Sequence, residues 1–447
     1  MSLIIDNPKP LKSRKLDIAL KGEIKIPGDK SVSHRSLIFA ALANGQTKIT
    51  GLLKGEDVLN TAHALELMGV DIVRNDDHWL VNGSGIVGLM EPCDILDMGN
   101  SGTAARLLAG LVAPYDFTTF FTGDSSLRAR PMSRIFDPIK RFGAQIVARQ
   151  DKLMPFAIIG TDESIPIEYE MKTPSAQIKS CILLAALATR GTTTIYEPKK
   201  CRDHSEIMMR YLGLDLKQKN EKDGTIIECR GFNEFAAKDI DVISDISSAS
   251  FFIVAATLVK DSDITLPNIG INPLRFGIIE TLLEMGADIE LFNKRQICGE
   301  EVADIRVKSS NLRAVNVPAA RAASMIDEYP ILAVAAANAV GVTRMNGLAE
   351  LRVKESDRLA MIANNLSLCG VELSVGDDFI EIKGQTQNHK KQPQIKTAMD
   401  HRIAMSFLVM GLTMESGLEI DDYSMIKTSF PDFTKIFNEI GIDFFAI

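Results

Sequence analysis

Six times along this chain a short polar tag runs directly into an apolar, alanine-rich segment, and six times a later segment closes on a glycine followed by alternating apolar and polar residues. The tags are DKSVSHR from Asp29, GNSGTAAR from Gly99, TPSAQIK from Thr173, SDISSAS from Ser244, SMIDEYP from Ser324 and AMDHRIA from Ala398. The closings are LELMGVDI at Gly69, IKRFGAQI at Gly143, MRYLGLDL at Gly213, LLEMGADI at Gly286, LSLCGVEL at Gly370 and FNEIGIDF at Gly441. Glycine just past a helix takes the left-handed conformation at little cost, and the alternation after it reads as a half-buried strand. A sixfold repeat of roughly 70 to 80 residues therefore underlies the chain. Each unit is expected to hold a strand, the tagged apolar helix, a strand, an amphipathic helix ending in glycine, and one or two closing strands.

The segments Ser31–Leu42, Gln177–Ala188, Ser250–Val259, Pro330–Val340 and Ile403–Leu412 are apolar nearly all round, the pattern of helices buried on every side. Each unit then places its apolar helix inside and its sheet outside. The expected fold is α/β: two similar domains, each of three βαβαββ repeats with buried helices and outer sheets, like an α/β barrel turned inside out. The cut is expected to give one domain at 28–245 and the other from 1–27 plus 246–447. The N-terminal strands would complete the sixth unit, so that the chain crosses twice between domains. The cleft between such domains is the expected ligand site.

Composition narrows the function classes. At 447 residues with 46% hydrophobic content, the chain supports two large cores. The six cysteines, Cys93, Cys181, Cys201, Cys229, Cys298 and Cys369, include no C-x-x-C pair and suggest neither a zinc site nor a disulfide framework. A reducing compartment fits. The opening MSLIIDNPKPLKSRK has too short an apolar run for a signal peptide, and the longest apolar stretch, Pro330–Val342, falls short of the ~20 residues of a membrane span. A cytoplasmic location is expected. The net charge of −8 argues against nucleic acid as the main ligand. Basic residues gathered into motifs of an acidic chain point to small anionic substrates.

Each tag stands at a helix N-terminus, where free N–H groups and the helix dipole favour anions. In PGDKSVSHRS, Pro27 and Gly28 turn the strand, Ser31 or Ser33 is expected to cap the helix, and Lys30 and Arg35 add positive charge. GNSGTAAR carries Asn100, Ser101 and Thr103 with two glycines, Gly99 and Gly102, that favour close backbone approach to a ligand. Arg128 and Arg130 precede Pro131, and Ser175 and Gln177 precede an apolar helix. MIDEYP sets Asp327 and Glu328 before a buried helix; ELRVKESDRL offers Lys354, Glu355, Asp357 and Arg358 in succession. AMDHRIAM embeds Asp400, His401 and Arg402 in an apolar run, where three polar side chains need partners. Each motif alone fits a helix cap or a solvated face. At one phase of six repeats they bring Lys, Arg and carboxylate groups to converging helix ends.

Taken in order, PGDKSVSHR, GNSGT, RARPM, SAQIKS, IDEYP, VKESDR, DHRIAM and TSFPDF resemble the 5-enolpyruvylshikimate-3-phosphate synthase family, over essentially the whole chain. The resemblance implies two three-repeat domains and an enzyme of aromatic amino-acid biosynthesis. It would transfer the enolpyruvyl group of phosphoenolpyruvate to the 5-hydroxyl of shikimate 3-phosphate, releasing phosphate by addition and elimination. It implies no metal or organic cofactor, no nucleic-acid or membrane partner, and a monomer. By position it assigns Lys30, Ser31 and Arg35 to shikimate 3-phosphate, with Lys30 also near phosphoenolpyruvate and counted as catalytic. Ser175, Ala176 and Gln177, with Arg202, fall to the phosphate of the sugar-like substrate. Gly102, Arg130, Gln177, Arg358 and Arg402 fall to phosphoenolpyruvate. Asp327 matches the proton acceptor for the attacking hydroxyl and Glu355 the group exchanging a proton with the methylene carbon, with Lys354 beside both.

The chain departs from the better-known branch of that family at two places. Ala176 stands where many members have a second serine, and Thr428-Ser429-Phe430-Pro431 lacks the lysine before phenylalanine, leaving Lys427 displaced by two. The resemblance also makes Gly102 a determinant of glyphosate inhibition, since members with Ala there tolerate the compound. The rival, UDP-N-acetylglucosamine enolpyruvyl transferase, uses a loop cysteine that Thr122–Pro131 lacks, and KSVSHR does not fit it. A non-enzymatic anion-binding protein on the same scaffold would be expected to lose Asp327 and Glu355, and both are present.

Overall fold

A computed structural model describes residues 8–385 and 392–446. Its β structure is six four-stranded sheets of one design. In the sheet that carries the GNSGTAAR tag, Leu96–Asp97 runs parallel to Thr118–Thr122, which pairs antiparallel with Leu153–Ile159, itself antiparallel to Gln145–Arg149. The helix Gly102–Val112 connects the parallel pair, the right place for a crossover, and Ser133–Arg141 leads into the closing hairpin. The other sheets repeat this order, with the opening strand borrowed from a distant segment where a unit begins. Ile240–Asp241 pairs parallel with Asn44–Thr50 in the first sheet.

The N-terminal strands differ from expectation. Leu11–Ser13 pairs with Leu418–Ile420 and Phe445–Ala446 and so completes the sixth sheet, but Lys21–Glu23 pairs parallel with Asp263–Gly270 and opens the fourth. A single segment thus serves two sheets, because each repeat needs both a parallel opening strand and an antiparallel closing one. The described residues separate into two compact units, one of Gly28–Ile243 with Gln296–Glu301 and the other of the remainder.

All six closing glycines have positive φ, from 76° at Gly370 to 109° at Gly143. At Gly286 the N–H donates to the Leu283 carbonyl at 2.9 Å and the Ala287 N–H to Leu282 at 2.9 Å, the paired bonds that satisfy the last carbonyls of a helix. The tagged helices form the cores: every residue of His401–Gly411 is buried, as are Ile246 to Thr257 of Ile246–Leu258. A Cβ on Gly110 would lie 2.2 Å from the Cys181 carbonyl oxygen, so glycine is what lets Gly102–Val112 and Ala176–Leu187 pack this closely. The TSFPDF motif is a core element. Phe430 and Phe433 are 1% and 0% exposed and meet edge-on at 5.6 Å, and the Phe252 and Phe437 rings stack at 4.2 Å. Truncating one such ring to alanine costs about 3–5 kcal/mol.

Candidate functional site

In the unit of Gly28–Ile243, three tagged helices begin at Lys30, Gly102 and Ala176, and their caps come from the tags. The first cap corrects the sequence reading: Asp29, not Ser31 or Ser33, accepts the Val32 N–H at 2.9 Å, while the Ser33 hydroxyl turns away to accept the Leu53 N–H at 3.1 Å. A carboxylate at the N-cap satisfies the same orphan donor and also complements the helix dipole. Ser101 and Ser175 cap the other two helices.

At these helix ends Arg35, Arg106 and Arg130 donate to neutral oxygens. Arg35, 4% exposed, donates from Nε to the Ser205 hydroxyl at 2.7 Å, from Nη2 to Ser180 at 2.6 Å and from Nη1 to the Ser31 carbonyl at 2.9 Å. Burial pulls its pKa down to about 10, with Glu206 and Asp29 countering, so the guanidinium stays charged at neutral pH. Arg130 donates to the Asn100 carbonyl at 3.2 Å, to the Asn100 side chain, and to the Ser126 hydroxyl at 2.9 Å. Arg106 donates to the Gly102 carbonyl at 3.0 Å, to Gln177 Oε1 at 3.0 Å and to the Pro131 carbonyl at 3.1 Å, while the Gln177 amide donates to Thr103 at 3.0 Å. Gly102 follows the Ser101 cap; a Cβ there would lie 2.6 Å from Arg106 Nη1 and 3.5 Å from Arg130 Nη1. Lys30 pairs with Asp57 at 3.1 Å. Ser31, Ala176 and Arg202 are half-buried. Neutral acceptors, as around Arg35 and Arg130, orient a guanidinium without cancelling its charge.

The second unit arranges its charges differently. Arg358, with no exposed surface, donates from Nε to Asp400 at 2.8 Å and lies 2.5 Å from Glu355 and 3.4 Å from Asp327. Burial acts against its charge, but Asp400, Glu355 and Asp327 outweigh it and raise the pKa above the ordinary arginine value. Lys354 Nζ stands 3.6 Å from the same Asp327 oxygen. Arg402 donates to the Asp327 backbone carbonyl at 3.1 Å and lies 3.8 Å from Glu328. Glu328 occupies the N-cap position of Tyr329–Asn338 without capping it; the carboxylate instead accepts from the Ser247 hydroxyl, which also accepts from Arg275 at 2.6 Å. Asp400 caps His401–Gly411 and takes the Ser356 hydroxyl at 2.9 Å, which answers how a charged triplet survives in an apolar run. Asp327 and Glu355, both partly exposed, therefore share one guanidinium, through its two terminal nitrogens.

Among the sequence-derived residues, Arg35, Gly102, Arg130, Ser175 and Gln177 lie on interlinked helix ends of one unit, and Asp327, Lys354, Glu355, Arg358 and Arg402 in one network of the other. Lys427 is exposed at the end of Ser424–Thr428, and Ser429 is buried. Sequence reasoning passed over Arg106, Lys179 and Ser205. The available signal for the first two was a charge set one turn into an otherwise apolar helix, which requires partners elsewhere.

The family model for EPSP synthase (3-phosphoshikimate 1-carboxyvinyltransferase) matches residues 16–437. The 3-phosphoshikimate 1-carboxyvinyltransferase of Paramagnetospirillum magneticum is 52% identical over 435 residues, 97% of each chain, and that of Rhodospirillum rubrum is 49% identical over 440 residues, again 97% of each. Among solved structures, EPSP synthase from Acinetobacter baumannii superimposes with a TM-score of 0.87 at 40% identity, covering 98% of this chain and 100% of that one. The enolpyruvyl transferase NikO from Streptomyces tendae shares the fold at 18% identity, with a TM-score of 0.78 and coverage of 98% and 99%.

Proposed function

The chain belongs to the EPSP synthase family and is an enzyme, a transferase of the shikimate pathway; on that premise we propose how its charged clusters divide the work. The substrates are shikimate 3-phosphate and phosphoenolpyruvate. Lys30, Ser31, Arg35, Ser175, Ala176 (through its backbone), Gln177 and Arg202 hold shikimate 3-phosphate. Gly102, Arg130, Gln177 and Arg402 hold phosphoenolpyruvate, with Lys30 serving both. Arg suits these roles because its fork matches phosphate and carboxylate oxygens in pairs. The enzyme is read as a cytoplasmic monomer acting on small molecules, without nucleic acid or membrane; its net charge of −8 speaks against nucleic acid, and among the described residues no helix is long and apolar enough to cross a membrane.

Asp327 takes the proton of the 5-hydroxyl as that oxygen bonds to C2 of phosphoenolpyruvate, while Glu355 delivers a proton to the methylene carbon, making it methyl. In the second half the methyl returns a proton to Glu355, the double bond re-forms, and phosphate leaves from C2 with the proton that Asp327 had taken. Arg358, which the family resemblance gives to phosphoenolpyruvate, is assigned instead to steadying both carboxylates as their charges change, a reading supported by its complete burial against them. The single observation carrying the proposal is this sharing of one guanidinium by Asp327 and Glu355, which keeps an acid and a base adjacent. The test is phosphate release from phosphoenolpyruvate that requires added shikimate 3-phosphate. Asp327→Asn should cut turnover by roughly 10²-fold or more. Near wild-type turnover in that variant would remove Asp327 as the base.

A further inference from the structure

Lys179 belongs to the SAQIKS motif but has no role above, and it is 1% exposed. Its ammonium lies 2.8 Å from Glu197 and 2.6 Å from Glu206, carboxylates 2% and 1% exposed, and also donates to the Cys201 carbonyl at 3.3 Å. Glu197 in turn accepts from the Cys201 N–H at 3.0 Å and from its thiol at 2.9 Å. Burial works against the Lys179 ammonium, but Glu206, Cys201 and Glu197 outweigh it and hold its pKa above the ordinary lysine value; burial pushes the Glu206 carboxyl up while Lys179 pulls it back. Three buried ionisable groups are an expensive way to join three elements, and apolar packing would serve stability as well or better. Their placement suggests another use. Lys179 and Glu206 immediately flank Ser180 and Ser205 in sequence, and those two hydroxyls bond each other at 2.7 Å and receive two donors of Arg35. The helices Ala176–Leu187 and His204–Tyr211 are thus joined by two adjacent rungs, one ionic and one of hydroxyls, and Arg35 rests on the second. Through Cys201 the same triad holds the loop that carries Arg202.

We propose that Lys179, Glu197 and Glu206 form a positioning triad that sets Arg35 and Arg202 on the phosphorylated substrate, and so governs affinity for shikimate 3-phosphate and not turnover. This rests on the assignment of Arg35 to that substrate. The direction of the effect separates positioning from charge. Deleting a carboxylate near an anion site strengthens the attraction of an anion if charge alone matters, whereas loss of a positioning rung weakens binding.

The experiment is calorimetric titration of shikimate 3-phosphate into wild type, Glu206→Ala, Glu206→Gln, Ser205→Ala and Arg35→Gln, with kcat and the KM for phosphoenolpyruvate measured alongside. Glu206→Ala leaves Lys179 paired with Glu197 and should weaken shikimate 3-phosphate by at least ~10-fold, about one decade of Kd. The phosphoenolpyruvate KM and kcat should move less than ~3-fold. Glu206→Gln keeps an acceptor of the same length for Lys179 and should recover most of the lost affinity. Unchanged or tighter binding in Glu206→Ala, or equal losses for both substrates, overturns the proposal. Should Glu206→Ala not fold, Ser205→Ala keeps all three charges and removes only the hydroxyl rung; the same split is expected there, and undiminished affinity overturns the proposal. Wild-type affinity in Arg35→Gln would instead show that the assignment of Arg35 is wrong.

Discussion

Arg35 and Arg358 are both buried guanidiniums, yet they meet opposite company. Around Arg35 the hydrogen-bond acceptors are two serine hydroxyls and a carbonyl; around Arg358 they are the carboxylates of Asp400, Glu355 and Asp327. Neutral acceptors orient a cation without cancelling it, so the first cluster keeps positive potential for substrate anions. Carboxylates cancel it, so Arg358 is a counter-ion whose value lies in what it does to its partners. On the proposed assignment the same residue type binds in one unit and tunes in the other, and the partners decide which.

The comparison breaks most visibly in stability. Arg358→Met leaves Asp400, itself without exposed surface, and its neighbours lacking their counter-charge, which should cost about 3–5 kcal/mol in denaturant unfolding. Arg130→Gln removes a cation whose partners are neutral and should cost under about 1 kcal/mol while weakening phosphoenolpyruvate by roughly 10-fold or more. Equal stability losses in the two variants would erase the distinction.

A pH measurement sharpens it. His34, fully buried with its Nδ1 2.7 Å from the Thr61 hydroxyl, is pushed down to about 3, first by burial and then by Lys30 and Arg35. The unfolded chain has the ordinary value of 6.5, so between these limits it binds a proton that the folded chain refuses. Stability is complete above the unfolded value and should fall as pH drops through 6.5 toward 3, by up to about 1.4 kcal/mol per pH unit. In His34→Asn this slope should flatten. An identical slope in the variant would mean that His34 is not the group that folding holds neutral.

The smallest stability effect is expected at Gly102. A methyl there meets Arg106 Nη1 at 2.6 Å, the far end of a flexible side chain, so Gly102→Ala should fold normally and displace the Arg106 fork. Glyphosate, longer than phosphoenolpyruvate, should lose at least ~10-fold in inhibition constant, with a smaller rise in the phosphoenolpyruvate KM; overpacking of about 1–3 kcal/mol accounts for that size. Parallel changes in both constants would assign the effect to Arg106 displacement alone.

Most of the scaffold was legible because it depends on local rules repeated six times: a glycine that must take positive φ, and helices apolar on every side. The first helix cap was misread because Asp29, Ser31 and Ser33 are all competent caps, and which one turns inward depends on Leu53, twenty residues away. Leu11–Ser13 completes the sixth sheet as expected, but Lys21–Glu23 was misassigned because pairing with Asp263–Gly270 is a long-range choice that composition does not encode. In the site, sequence identified the residue types needing partners but not the partners. Arg35 reaches Ser180 and Ser205, 145 and 170 positions on. Lys179 and Arg106 were in quoted motifs, yet their meaning came only from what they touch.

The separation of binding from proton transfer is tested most directly by titrating shikimate 3-phosphate into Asp327→Asn. The account expects a Kd within about threefold of wild type, under ~0.7 kcal/mol, in an enzyme that has lost its turnover. Affinity weakened tenfold or more would show that Asp327 is part of the binding machinery and contradict the division.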